Sequence, residues 1–235
     1  KDNPFSNTFG KASLALLRDL SPDELVNMDT KQLISFIAQN GNNRLKDVGQ
    51  MATNLKNLAN RAYRLNPKMQ DSINVTLAMT LHNIEFFKSQ IKRLDKVIAQ
   101  ELKAIPHTLT SIPGIGPVWA AGIIAEIGDV SRFRNEAALA QYAGLTWSRY
   151  QSGDFDAEER RLTKTGNRYL RYYLVEAANS VRVHNEEYKA YYQAKYKEVT
   201  KHQHKRALVL TARKFVRLVF ALLSKGQIYR PGVRN

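Results

Sequence analysis

A Ser-Gly pair, Ser152-Gly153, stands in a polar loop from Thr146 to Gly166 among the cations Arg149, Arg160, Arg161, Lys164, Arg168 and Arg171. A serine hydroxyl becomes a useful nucleophile only when a base or metal activates it. Charge building on an attacked phosphate needs cations or donors, and arginine suits that task because its planar fork reaches two phosphate oxygens. The chemistry these residue types admit is attack on a phosphodiester, with Ser152 as nucleophile and Arg149, Arg168 and Arg171 steadying the charge. No histidine lies within thirty residues of Ser152 on either side, so activation falls to Asp154 and Asp156 or to carboxylates and a metal elsewhere. Tyr150 is a rival nucleophile. Taken alone, Ser-Gly in a polar loop is a turn, and Arg168 and Arg171 are solvated charges three apart on one helix face.

A second pattern concerns the phosphate backbone. Ile112-Pro113-Gly114-Ile115-Gly116-Pro117 runs straight into an apolar stretch, Val118 to Ile127. It resembles the helix-hairpin-helix motif, in which an apolar-Pro-Gly-apolar-Gly core lets backbone N–H groups at a helix start face a phosphate. Gly114, Ile115 and Gly116 are therefore candidate DNA contacts. Pro117 and Val118 stand where such motifs often carry a polar residue. The alternative is a hairpin that only packs two helices together.

Metal chemistry finds little support in the residues. Asp154, Asp156, Glu158 and Glu159 lack the further ligands of a calcium loop and read as a solvated acidic turn. His202 and His204 have no cysteine or third histidine nearby to complete a zinc site. No metal ligand is assigned.

These groups need helices to hold them. The first sixty-odd residues read as two or three short amphipathic helices, one opened by Ser21-Pro22-Asp23-Glu24, the next at Thr30 and stopped by Asn40-Gly41-Asn42. Lys68 to Lys103 is free of Gly and Pro. Leu77, Ile84, Ile91 and Ile98 recur there every seven residues, with Thr80, Phe87 and Leu94 between them, a heptad seam that fits either a coiled coil between chains or a helix packed within one. Pro106 and Pro113 close that helix. Helices are expected at Pro117 to Glu126, Asn135 to Tyr142 and Asn167 to Val183, the last opened by Asn167. A basic amphipathic helix follows from Lys205 to Ser224, with Leu208, Ala212, Phe215, Val219 and Leu222 on one face. Its Lys205, Arg206 and Arg213 are further candidate DNA contacts. The fold class is all-α.

Composition points to a polyanionic partner. The 235 residues carry a formal net charge of +15, and the last 55, from Val181, hold thirteen Lys or Arg against three Glu, a net of 13 − 3 = +10. Such an excess favours nucleic acid. No apolar run approaches the roughly 20 residues of a membrane span, so a membrane is not an expected partner. With no cysteine, disulfides and thiolate metal sites are excluded, which fits a reducing compartment. The chain opens on Lys1 rather than Met, as expected of a piece of something longer.

The order of the motifs carries a resemblance. The glycine hairpin, Tyr142-Ala143-Gly144-Leu145, Ser152-Gly153 and Lys164-Thr165-Gly166-Asn167-Arg168-Tyr169-Leu170-Arg171 resemble the transposase domain of the insertion sequence 110 family, grouped with 116 and 902. Asn3-Pro4-Phe5 to Ala12-Ser13-Leu14 resembles the stretch after that family's first domain. The resemblance implies a small helical linker over 1–66, a coiled-coil helix over 67–105 and a transposase and DNA-binding domain over 106–235. It implies that Ser152 attacks DNA to form a covalent phosphoserine link, with Arg160, Arg161, Lys164 and Asn167 near the DNA. It also implies a guide (bridge) RNA, a homo-oligomer joined through the coiled coil, and a bacterial or archaeal cytoplasm as the setting. The family's RuvC-like domain, where Mg²⁺ is expected, is not recognisable here, since no spaced acids on strands precede the hairpin; no cofactor is expected within this chain. The rival reading is a non-catalytic nucleic-acid-binding and oligomerisation module.

Overall fold

The computed structural model describes residues 3–147, 151–152, 155–156 and 162–232. Ten α-helices make up almost all of the regular structure among them, so the fold is all-α apart from one two-residue ladder. The chain divides into two compact units, Lys1–Ile91 and Lys92–Asn235, with the boundary inside the longest helix.

The first unit contains α1 (Lys11–Asp19), α2 (Pro22–Asn27), α3 (Thr30–Asn40), α4 (Val48–Arg61) and the start of α5 (Pro67–Leu102). The starts are dictated locally. Ser21 Oγ accepts from the Glu24 amide while the Glu24 carboxylate accepts from the Ser21 amide, a reciprocal cap. At α3 the cap is Asp29, one residue before Thr30, because its carboxylate accepts from the Lys31 amide. Asn42 rather than Gly41 takes the left-handed conformation that ends α3, at φ +54°. Phe5, Leu16, Leu25, Leu33, Ile37 and Leu55 form this unit's core. The fourth helix, α4, buries Ala52, Leu55 and Ala59 and exceeds the two or three expected over this stretch.

The second unit is built on α6 (Pro117–Ile127), α7 (Glu136–Tyr142), α8 (Arg168–His184), α9 (Glu186–Lys197) and α10 (Gln203–Lys225). Leu170, Leu174, Ala177, Ala178 and Val181 put one stripe of α8 into the core, where they meet Ala212, Phe215, Val216, Val219 and Leu222 of α10. Burying each large side chain contributes about 1.5–3 kcal/mol. Helix α9 was not anticipated. Its residues are mostly polar and tyrosine-rich, and only Tyr188 is buried, so apolar periodicity gave no signal for it. No helix among the described residues is long and apolar enough to cross a membrane.

The long helix runs from Pro67 to Leu102, close to the expected span. Its apolar seam is partly uncovered within the chain, with Leu77, Ile84 and Ile98 half-buried and the rest exposed. Phe87 is 62% exposed, Leu94 60% and Ile91 57%, and Thr80 is exposed beside them.

Candidate functional site

The polar loop of Thr146 to Gly166 leaves the helical body and returns to it at one neck. Helix α7 ends in a Schellman motif, with Gly144 N–H donating to Gln141 O at 2.9 Å and Leu145 N–H to Ala140 O at 2.8 Å. Gly144 sits at φ +66°, and a Cβ there would fall 2.3 Å from Thr165 O. On the return limb Gly166 is at φ +101°, where a Cβ would fall 2.3 Å from Tyr142 O. The two glycines thus let the outgoing and returning limbs cross at backbone contact. Asn167 N–H donates to Tyr142 O at 2.7 Å and locks the crossing.

Beyond the neck the limbs pair. Thr163 N–H donates to Thr146 O at 2.8 Å, the Thr146 and Thr163 hydroxyls are 3.0 Å apart, and Trp147 bridges to Leu162. Farther out, Gln151 pairs with Asp156 and Ser152 with Phe155 in an antiparallel ladder. Ser152 therefore belongs to the last pair before 153–154, at the far end of a two-limbed arm. Arg149, Arg160 and Arg161, with Tyr150, Gly153, Asp154, Glu158 and Glu159, lie outside the described residues.

The residues at the foot of the arm have assigned partners. Asn167 caps α8, its Oδ1 accepting from Tyr169 N–H at 2.9 Å and Leu170 N–H at 3.0 Å, while its Nδ2 donates to Glu126 at 2.7 Å and to the Tyr142 hydroxyl at 3.3 Å. Arg171 Nη1 donates to Ala143 O at 3.0 Å and Lys164 O at 3.1 Å, one carbonyl from each limb. Arg168 is exposed, its guanidinium lying over the Tyr169 ring at 4.7 Å and donating to that hydroxyl at 2.6 Å. Lys164 is exposed at φ +53°.

At the glycine hairpin, Ile115 N–H donates to Ile112 O at 3.0 Å, with Pro113 and Gly114 at the centre of the turn. Gly114 takes φ +93°, the position of a type II turn that excludes most side chains. A Cβ on it would also meet Ser180 O at 3.0 Å. Ser180 Oγ donates to Gly114 O at 2.7 Å and fastens the hairpin to α8. Ile115 is buried in the core. Gly116 has an ordinary φ of −86° and nothing within 4 Å of where a Cβ would stand. Its missing side chain leaves the start of α6 open, and no side chain caps the amides there. The element before the hairpin is a 3₁₀ turn, Leu109–Ser111, because α5 has already ended at Leu102.

The basic residues of α10 divide. Lys205 is exposed. Arg206 donates to Glu198 at 2.8 Å. Arg213 is half-buried, with Nη1 lacking a hydrogen-bond partner among the described residues, and burial pushes its pKa down. Among the described residues no three His, Asp or Glu side chains gather as metal ligands.

Sequence reading missed the neck threonines, Trp147 and the aromatic group on α6 and α8. Thr146-Trp147 and Leu162-Thr163 are short runs of strand-forming residues in mirror order, a signal available in retrospect.

Residues 106–193 match the family described as transposase IS116/IS110/IS902. The chain is 28% identical over 177 residues to the transposase for insertion sequence element IS1111A of Coxiella burnetii, covering 74% of this chain and 48% of that one. It is 28% identical over 155 residues to a probable family 20 transposase of Pseudomonas aeruginosa, covering 63% and 45%. A pilin gene-inverting protein of Moraxella bovis is 33% identical over 95 residues, covering 38% and 30%. The chain spans about half or less of the length of these curated relatives.

Proposed function

We propose that this chain, whose residues 106–193 match the IS116/IS110/IS902 transposase family, is part of a DNA recombinase that cuts and rejoins strands through Ser152. In the proposed step the Ser152 oxygen bonds to the phosphorus of a phosphodiester and its proton passes to a base. The bond to the leaving sugar oxygen breaks, and that oxygen takes up a proton. A phosphoserine link results, and the reverse attack by a new strand end restores the hydroxyl. The observation that carries the reading is the arm: Ser152 lies at its far end, and its two limbs are tied together at the neck. A relative named for inverting a pilin gene accords with rejoining as well as cutting.

Positioning on duplex DNA falls to the hairpin. The uncapped amides at the start of α6, open above Gly116, suit a phosphate oxygen. Lys205 and Lys164 add exposed positive charge. Charge stabilisation at the attacked phosphate is assigned to Arg149 and Arg168; Arg171, bonded to two carbonyls, acts through the arm's geometry. The guide RNA and the Mg²⁺ of a RuvC-like domain are partners that the family resemblance brings, and no step here runs through the metal.

A second reading is a binding and oligomerisation module, favoured by the partly uncovered apolar seam of α5. One experiment separates the two. The full-length protein, guide RNA, Mg²⁺ and labelled donor DNA are run on a denaturing gel. A shifted band that survives denaturation and vanishes with Ser152→Ala is expected. DNA binding without such a band leaves the module reading.

A further inference from the structure

Helix α8 buries one stripe of side chains and turns aromatic rings to the solvent on another. Tyr169 and Tyr172, three residues apart and so on one side of the helix, are 53% and 56% exposed. Trp119 of α6 stands 6.4 Å from Tyr172 and 6.3 Å from Tyr173, ring centre to ring centre. Tyr173 is a wedge: its ring occupies the space a Cβ on Gly122 would need, 2.4 Å from its nearest carbon. Trp119 and Tyr173 are partly buried against the core, so Trp119 offers only part of its ring to the solvent. The rings meet at 58° to 69°, so none is stacked face to face on another.

We propose that Trp119, Tyr169 and Tyr172 form a platform on which unpaired bases of single-stranded DNA stack, at the foot of the arm that carries Ser152. The class of ligand follows from the chemistry. Base-on-aromatic stacking accepts any base, and proteins that use it combine such rings with cations that follow the backbone. Arg168 supplies that cation beside the platform, over the Tyr169 ring at 4.7 Å. The acid of α6, Glu126, is engaged by Asn167 at 2.7 Å, whereas Glu176 stands one turn beyond Tyr172 on α8. Base faces inside a duplex are already covered by their neighbours, so only unpaired bases can use the rings. On α8 the platform begins two residues after Asn167, whose N–H closes the neck of the arm. A strand led to Ser152 therefore passes the place where a base turned out of its duplex would be held.

The proposal rests on reading the Ser152 arm as a DNA-cleaving element, and its test keeps the two apart. The chain has two tryptophans, Trp119 and Trp147, so Trp147→Phe leaves Trp119 as the sole reporter. Oligothymidylate is titrated at fixed salt against that variant, with a blunt duplex and oligouridylate in parallel. Labelled-oligonucleotide anisotropy on the parent chain guards against misfolding of the reporter. Oligothymidylate should quench Trp119. Tyr172→Ala and Tyr169→Ala should each weaken single-strand binding by about tenfold and leave duplex binding and circular dichroism unchanged, with Tyr→Phe retaining the affinity. Equal loss on duplex, no loss, or no quenching overturns the platform; tighter oligouridylate binding with the same sensitivity overturns DNA as its ligand. If Ser152→Ala abolishes the covalent adduct while quenching is absent, the platform fails alone. If the adduct survives Ser152→Ala while oligothymidylate quenches, the serine reading fails alone.

Discussion

Arg171 Nη1 lies 3.0 Å from the carbonyl oxygen of Ala143, and the same nitrogen reaches Lys164 O at 3.1 Å. One guanidinium therefore spans the outgoing and returning limbs of the serine arm. Gly144 permits the approach: a Cβ there would stand 2.5 Å from this nitrogen. Arg171→Ala should leave both carbonyls without this donor and cost about 1–3 kcal/mol, read by urea denaturation. Amide exchange should quicken at Thr163 and Leu145. Arg171→Lys, whose ammonium can donate to two carbonyls but sits on a shorter and more flexible stem, should recover part of the loss. Unchanged stability in Arg171→Ala would mean that the limbs are held by the threonine and glycine contacts alone.

The glycines make a sharper comparison. Gly144→Ala forces a side chain into φ +66° and onto Thr165 O, whereas Gly116→Ala meets nothing within 4 Å at φ −86°. The first should destabilise by more than about 1 kcal/mol and the second lie near zero. Thermal melts of the two variants side by side decide this. If Gly116→Ala keeps its stability yet weakens duplex binding, the open start of α6 is a contact surface; if binding is also unchanged, the phosphate reading of the hairpin fails.

Asn167 joins three parts of the unit: the α8 amides, Glu126 of α6 and Tyr142 of α7. Loss of a helix cap costs about 0.5–2 kcal/mol, and Asn167→Ala should sit at the upper end because Glu126 loses its partner too. Asn167→Asp keeps the cap but sets a carboxylate against Glu126, so it should recover little. A full recovery by Asp would show that the Glu126 contact carries no weight.

Near the start of α10, Glu198 accepts from Lys195 and Arg206, and those bonds, Lys195 first, hold its pKa below the ordinary carboxylate range. Its folded value is depressed, so its contribution is present above the unfolded carboxylate pKa and disappears as pH falls through the lower folded value. Lys195 is raised by the same hydrogen bond, so its contribution holds below the ordinary lysine value and fades as pH climbs through the raised one. Protection of the Arg206 amide, its exchange rate compared with the unstructured rate at the same pH, should fall at acid pH in the parent chain and show no such step in Glu198→Gln. An identical profile in both would remove Glu198 as the cause. The same ion pair explains why Arg206, read from the sequence as a DNA contact, is occupied within the protein.

Periodicity and caps made most helices legible: α5, α6, α7, α8 and α10 begin and end within a few residues of their signals. They gave no warning of α9, whose tyrosines and lysines make no apolar stripe. The motif at Lys164 to Arg171 was visible, but its meaning was not. Spacing shows that Arg168 and Arg171 share a helix face; only the fold shows that Arg171 turns to two carbonyls and Arg168 to Tyr169. The crossing of the limbs sets Gly144 against Thr165 and Gly166 against Tyr142, contacts remote in sequence that no local pattern encodes. Ser152 was found by resemblance rather than by its surroundings, since the arm that presents it is short, polar and without strand periodicity.

The seam of α5 supplies the last prediction. Phe87, Ile91 and Leu94 share a heptad stripe and remain mostly exposed in one chain. Apolar residues repeating every seven positions form a stable surface when a second helix interlocks with them. The 26.8 kDa chain should therefore scatter light as a dimer or larger. Phe87→Glu with Leu94→Glu places like charges on both copies of the stripe and should yield monomers, while helical content and the melting of the second unit persist. A parent chain that is monomeric at every concentration tested would leave the stripe for a different partner, and the oligomerisation part of the module reading would fall with it.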